Sequence, residues 1–191
     1  MIAWFSPEWL ALIVAIFGAG VAIQALREAT RNSRLEKIAD VLMECTRRYG
    51  DLIELRHTLK KDVQCGDTTA QSASRRYYHA YWNLQWDQWT FFQLGLIPHE
   101  IYADWFMGRL GTLSEPNDSF GGTFERGWTE IGRPAKSMFP EFAEFVDAVW
   151  ALKGRSTAEA RVEIDKLVTE AFTKGRHLRI GFVRKSLSRS S

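Results

Sequence analysis

Trp9-Leu-Ala-Leu-Ile-Val-Ala-Ile-Phe-Gly-Ala-Gly-Val-Ala-Ile-Gln-Ala-Leu26 decides the reading of this chain. The run holds no charge, and Gln24 is its one strongly polar side chain. As a helix, eighteen residues reach about 27 Å, close to the ~30 Å hydrocarbon core of a bilayer. Pro7 suits a first helical turn, Ser6 can cap it, and Trp4 and Trp9 stand where an interfacial aromatic belt would lie. A cleaved signal peptide carries its basic residues before the apolar run. Here Arg27, Arg31, Arg34 and Lys37 follow it and none precedes it. A buried soluble helix is the other reading, because the run is short. The expectation is a single-pass anchor over 1–26. The positive-inside rule then puts the N-terminus outside and the rest in the cytoplasm, at a bacterial inner membrane. Ala11, Ala15, Gly18, Ala19 and Ala22 form a stripe of small residues on which membrane helices can pack.

Beyond the run, no Gly or Pro occurs from Val21 to Tyr49, so the helix is expected to continue. Leu35, Ile38, Leu42, Cys45, Tyr49, Leu52, Leu59 and Val63 recur at steps of three and four, with Arg56 interrupting the seam. The seam serves either a coiled coil between copies or packing within the chain. Ala39, Met43, Ile53 and Leu55 widen it, which favours the second. Two cysteines, Cys45 and Cys65, would lie ~30 Å apart on that helix. A disulfide between them is excluded on that geometry.

The 191 residues include eight Trp, twelve Phe and five Tyr. The aromatics concentrate between Tyr77 and Trp105, which predicts a substantial core. After a polar linker at 64–74, a helix is expected from Arg75 to Leu94, apolar nearly all round and therefore central. Gly95 should end it and Pro98 should open a third helix, to Leu110, with Ile101, Trp105 and Leu110 inward. The stretch from Ser114 to Gly127 is the longest loop signal, and a short helix around Trp128 follows it. Pro140 starts a further helix, ended by Gly154. The capping box Ser156-Thr-Ala-Glu159 starts the last one, which Gly175 should stop. The fold class is all-α: an N-terminal transmembrane helix, a helical cytoplasmic bundle over 27–175, and a basic tail over 176–191.

Tyr81-Trp82-Asn83-Leu84-Gln85, Gly95-Leu96-Ile97-Pro98 and Ile101-Tyr102-Ala103-Asp104-Trp105 follow an anchor that runs into an amphipathic helix. In this layout the chain resembles a group of bacterial domain-of-unknown-function proteins with one N-terminal membrane helix and a helical cytoplasmic domain. The resemblance covers most of residues 9–150. It implies that architecture and no established activity.

No phosphate-binding loop, zinc-ligand pattern or nucleophile signature occurs, and His57, His79, His99 and His177 are scattered. The reading therefore assigns no catalytic residue, cofactor or metal. The polar positions of the aromatic helix hold more interest. They could tie neighbouring helices together or bond the indole N–H groups, since buried polar atoms need partners. Alternatively Trp82, Asn83, Gln85, Trp86, Asp87 and Trp89 form a ligand or partner surface. Residues 171–191 carry six Lys/Arg and no acid, against seven Lys/Arg and twelve Asp/Glu over 61–150. In the tail, Arg176, Arg179, Arg184 and Lys185 suit an anionic membrane surface, and a plain solvated tail fits equally. Nucleic acid is not expected, because no recognised fold accompanies the patch.

Three functions fit this reading. The first is a membrane-anchored, non-enzymatic interaction or regulatory protein that binds a protein partner or itself. The second is an accessory subunit of a larger membrane complex. The third is a small-ligand sensor or enzyme using the aromatic helix.

Overall fold

In a computed structural model the backbone is described for residues 7–113, 116–117, 122–136 and 139–187, and side chains for 19–112, 122–136 and 139–175. Among the described residues seven α-helices follow in order: α1 Pro7–Cys65, α2 Ala70–Gln93, α3 His99–Leu113, α4 Phe124–Gly127, α5 Arg133–Ala135, α6 Pro140–Trp150 and α7 Thr157–Leu187. Between α3 and α4 a two-residue antiparallel ladder pairs β1 (Pro116–Asn117) with β2 (Gly122–Thr123). The all-α class holds. The chain divides into two units, Met1–Asp40 and Val41–Ser191.

In the first unit α1 carries Val21, Ile23, Leu26 and Leu35 exposed. Among the described residues no helix is long and apolar enough to cross a membrane. The side chains of residues 9–18, the larger part of the apolar run, lie outside the described residues. So do those of Ala11, Ala15 and Gly18 in the small-residue stripe, whereas Ala19 and Ala22 are described and exposed.

In the second unit the α1 seam packs within the chain. Cys45, Leu52 and Leu59, at steps of seven, are buried. Tyr49 is half exposed, and the widening residues Met43 and Ile53 face outward. The buried stripe is thus narrower than the sequence suggests. Both cysteines are free, Cys45 buried and Cys65 exposed.

The central aromatic helix is present and starts earlier than expected. Thr69, not a residue near Arg75, caps it: its hydroxyl accepts the Ser72 N–H at 3.2 Å. The polar linker shrinks accordingly, because Ala and Ser tolerate a helix once a cap is supplied. At the other end, Gly95 (φ +71°) donates to the Phe92 carbonyl and Leu96 to the Phe91 carbonyl, the paired bonds of a Schellman stop. Tyr77, Tyr78, Tyr81, Trp82, Leu84, Trp89 and Phe92 are buried around α2. Trp82 meets Trp128 at 4.5 Å, Trp86 stacks on Phe139 at 3.8 Å, and Phe92 stacks on Tyr102 at 4.3 Å.

The third helix turns a different face inward. Tyr102, Ala103 and Phe106 are buried, while Ile101, Trp105 and Leu110 are only partly covered. Apolar residues surround this helix, so tertiary contacts choose the face. The Ser156 capping box forms as expected, with Ser156 N–H to Glu159 Oε2 at 3.2 Å and Glu159 N–H to Ser156 Oγ at 3.3 Å. Gly175 does not stop α7, which runs to Leu187 and takes the alternating Leu178, Ile180 and Phe182 into helix. A Cβ at Gly175 would collide with Gln93 Oε1, so this glycine serves a close helix contact.

Between α4 and α5, Trp128–Gly132 form one π-helical turn. Pro134 lacks the N–H that would reach Glu130, and the Arg133 N–H bonds back to the Trp128 carbonyl. Trp128 Nε1 donates to Asp147 at 2.7 Å and Arg133 Nε to the same carboxylate at 2.8 Å, tying this turn to α6. Gly127 lies flat against Tyr78: a Cβ there would stand 2.5 Å from Tyr78 Cγ. Tyr78 is 1% exposed and cannot swing away. Gly127→Ala should therefore destabilise the domain by about 1–3 kcal/mol despite alanine's better helix propensity. A denaturant midpoint equal to or above that of the parent would refute the packing argument.

Candidate functional site

The six residues expected to form a ligand or partner surface spread around α2 rather than converging. Trp82 and Trp89 are core. Asn83 Oδ1 accepts from Lys136 Nζ at 2.9 Å, and that ammonium lies 5.8 Å from the Trp86 ring centroid. Burial lowers the Lys136 pKa, with Asp87 opposing. Asp87 also pairs with Arg48 of α1 at 2.7 Å. So Asn83 and Asp87 tie α2 to its neighbours, as the structural reading of these positions anticipates. Gln85 does not. It is 1% exposed, and neither its amide nitrogen nor its oxygen has a partner. The Trp82 indole N–H is likewise unpartnered, so the expected bonds between amides and indoles are missing there. The basic residues Arg176, Arg179, Arg184 and Lys185 have side chains outside the described residues.

One turn round α2, at Gln88, the polar chemistry does converge. A cavity of about 500 Å³ lies between the Cys45–Arg56 stretch of α1 and helices α2, α3 and α4. Its wall includes Cys45, Arg56, Tyr81, Gln88, Trp105 and Arg109. Gln88 is 3% exposed. Its Oε1 accepts from Arg109 Nη2, and its amide reaches the Cys45 sulfur. Burial pushes the Cys45 thiol up and the Tyr81 phenol up to about 12. Both groups are therefore neutral at physiological pH.

Arg109 is the unusual member. Its Nη1 is buried with no hydrogen-bond partner. The guanidinium lies 4.8 Å from the Phe106 ring centroid and 5.9 Å from that of Trp105. Burial holds its pKa below the usual arginine value. Around the guanidinium stand phenols and a thiol, Tyr81, Tyr102, Tyr49 and Cys45, and in their neutral forms these supply no counter-charge. Among the described residues no carboxylate pairs with it. Burying an ion costs several kcal/mol. Aromatic faces return roughly 1–2 kcal/mol and the Gln88 bond roughly 1.5–3 kcal/mol. Arg109 as a whole is partly buried, and its Nη1, the end cut off from solvent, is where an acid partner would ordinarily stand. Among the described residues the one carboxylate in the cavity wall, Asp104, is held by Arg161 of α7.

No family model, curated protein or solved structure matches the chain. Function must then be argued from the site alone.

A second groove, about 420 Å³, lies between α2, α6 and α7 beside Trp89. Glu141, Glu144 and Glu170 rim an apolar floor there, with Lys174 at the edge. Gln93 Nε2 donates to the Ala171 carbonyl at 3.2 Å across it, while Gln93 Oε1 has no partner. Sequence reasoning missed Arg109, Gln88 as its anchor, and Lys136. The one legible hint was Arg56, the charge that breaks the α1 seam: it lines the Arg109 cavity.

Proposed function

We propose that this protein is a membrane-anchored, non-enzymatic interaction or regulatory protein, with its N-terminus outside and its helical domain at the cytoplasmic face of a bacterial inner membrane. One observation supports the reading above others. The described end of the apolar run carries Val21, Ile23 and Leu26 at 67%, 52% and 69% exposure on α1. Contiguous apolar side chains left uncovered on a helix call for lipid or a partner helix around them. The basic residues Arg27 and Arg31 follow immediately, where the anionic inner leaflet would be met. The resemblance to bacterial proteins with one membrane helix and a helical cytoplasmic domain implies the same architecture.

The full-length chain is expected to stay with membranes through high salt and alkaline carbonate, whereas a chain lacking residues 1–26 is expected in the supernatant. Cys65 is exposed and Cys45 buried, so Cys65 reports topology without engineering. A membrane-impermeant maleimide should label it only after cells are opened. Recovery of the full-length chain in the carbonate supernatant would refute the anchor. Labelling in intact cells would refute the orientation.

A further inference from the structure

We propose that the cavity around Arg109 is a receptor site for a small organic monocarboxylate with an aromatic or apolar body, its carboxylate seated on Arg109 and its body against Trp105 and Phe124. The size suits such a ligand: about 500 Å³ is within the usual range of small-molecule sites. The charge suits it as well. Arg56 of α1 and Arg109 of α3 line the cavity, and among the described residues the one carboxylate in its wall, Asp104, is engaged by Arg161. An arriving carboxylate supplies the acceptor that Arg109 Nη1 lacks. Gln88, itself buried and bonded to Nη2, fixes the plane of the guanidinium before any ligand arrives. Pre-positioning of this kind lowers the cost of binding.

The walls choose between anions. Trp105, Phe124, Tyr77 and Tyr81, with Leu52 and Ile53, give the cavity broad apolar walls. Such a lining favours a ligand that is mostly apolar with one charged end. A phosphate or other dianion fits poorly. Arg109 and Thr112 sit near the C-terminal end of α3, where the helix carbonyls carry negative partial charge. The Thr112 hydroxyl is spent on the Arg109 carbonyl at 3.0 Å. The same cavity accounts for the break in the α1 seam. A heptad that served packing alone would place a leucine at 56; here the position carries a charge that lines the cavity.

The inference does not depend on the anchor, so its test does not either. The purified full-length chain is titrated with 2-naphthoate and with its uncharged isostere 2-naphthamide, following ligand NMR signals and thermal unfolding. Naphthoate should bind about tenfold or more tightly than the amide, the usual scale for one charge-assisted hydrogen bond. Arg109→Gln should remove that preference. Arg133→Gln, whose ion pair with Asp147 lies on another face, should leave it intact. Should Arg109→Gln fail to fold, Arg56→Gln gives the second readout, a reduced preference. Equal binding of the two probes, no binding of either, or a preference that survives the arginine substitutions would overturn the proposal.

Discussion

Phe92→Ala should lower the unfolding free energy of the helical domain by about 3–5 kcal/mol, the range for deleting a fully buried phenylalanine. Phe92 is 0% exposed. It is also a junction. Its ring stacks on Tyr102 of α3 at 4.3 Å with planes 5° apart, and meets Phe172 of α7 at 5.6 Å and His99 at 5.5 Å. Truncation leaves a void at the meeting of three helices, and their rigid axes cannot converge to fill it. The loss is a large fraction of the 5–15 kcal/mol that ordinarily holds a domain together. In a domain of this size it corresponds to roughly 10 °C in Tm. Urea unfolding should show a lower midpoint with an unchanged slope. Leu94→Ala, two residues away and 52% exposed, should change stability by less than about 0.5 kcal/mol. A cost below about 1 kcal/mol for Phe92→Ala would mean that the stack is not where the core is held.

The contrast between Phe92 and Leu94 shows what the sequence could reveal. Helix ends were legible because local hydrogen bonds set them. Gly95 and the Ser156–Glu159 box do what their residue types allow in any context. Thr69 was overlooked because its partner, the Ser72 N–H, is a backbone group and leaves no mark on the sequence. Gly175 misled for the opposite reason. A lone glycine lowers helix propensity by about 1 kcal/mol, which packing overrides when the missing Cβ makes room for Gln93.

The inward face of α3 was not legible, and neither was the cavity beside it. Ile101, Tyr102, Trp105, Phe106 and Leu110 offer two competing apolar stripes, and only the docking of α2 and α7 selects Tyr102 and Phe106. That same rotation carries Arg109 under the aromatic rings and against Gln88. In the sequence Gly108-Arg109-Leu110 is an ordinary helix end. The candidate site is thus largely a by-product of a tertiary choice, and its one trace in the residue spacing is Arg56, the charge that interrupts the α1 seam.

The buried phenols Tyr77 and Tyr81 in the cavity wall, with Tyr102 in the core, make a second strong prediction, an alkaline collapse of stability. Burial raises the Tyr81 pKa to about 12 and raises those of Tyr77 and Tyr102 further. In the unfolded chain all three titrate near 10. The folded state therefore holds protons that the unfolded state releases. Stability is full below pH ~10 and falls as pH climbs from there toward the folded values. Each such phenol costs roughly 1.4 kcal/mol per pH unit in that window, so the three together remove on the order of 4 kcal/mol by pH 11. Cys45, whose thiol is also pushed up by burial, starts the loss at a lower pH. Lys136 acts the other way, because burial lowers its pKa and the folded state sheds its proton first. Arg109, whose pKa burial also lowers, acts in the same sense at still higher pH, and these two cations do not offset four groups. Urea midpoints measured from pH 8 to 11 should fall steeply above 10, and tyrosinate absorbance should rise with unfolding rather than before it. Tyr102→Phe separates this linkage from general charge repulsion. The Tyr102 hydroxyl has no hydrogen-bond partner, so its removal should leave stability at pH 7 unchanged or higher. Above pH 10 the variant should lose stability about one third less steeply than the parent. An unaltered slope would mean that the Tyr102 phenol ionises freely in the folded domain.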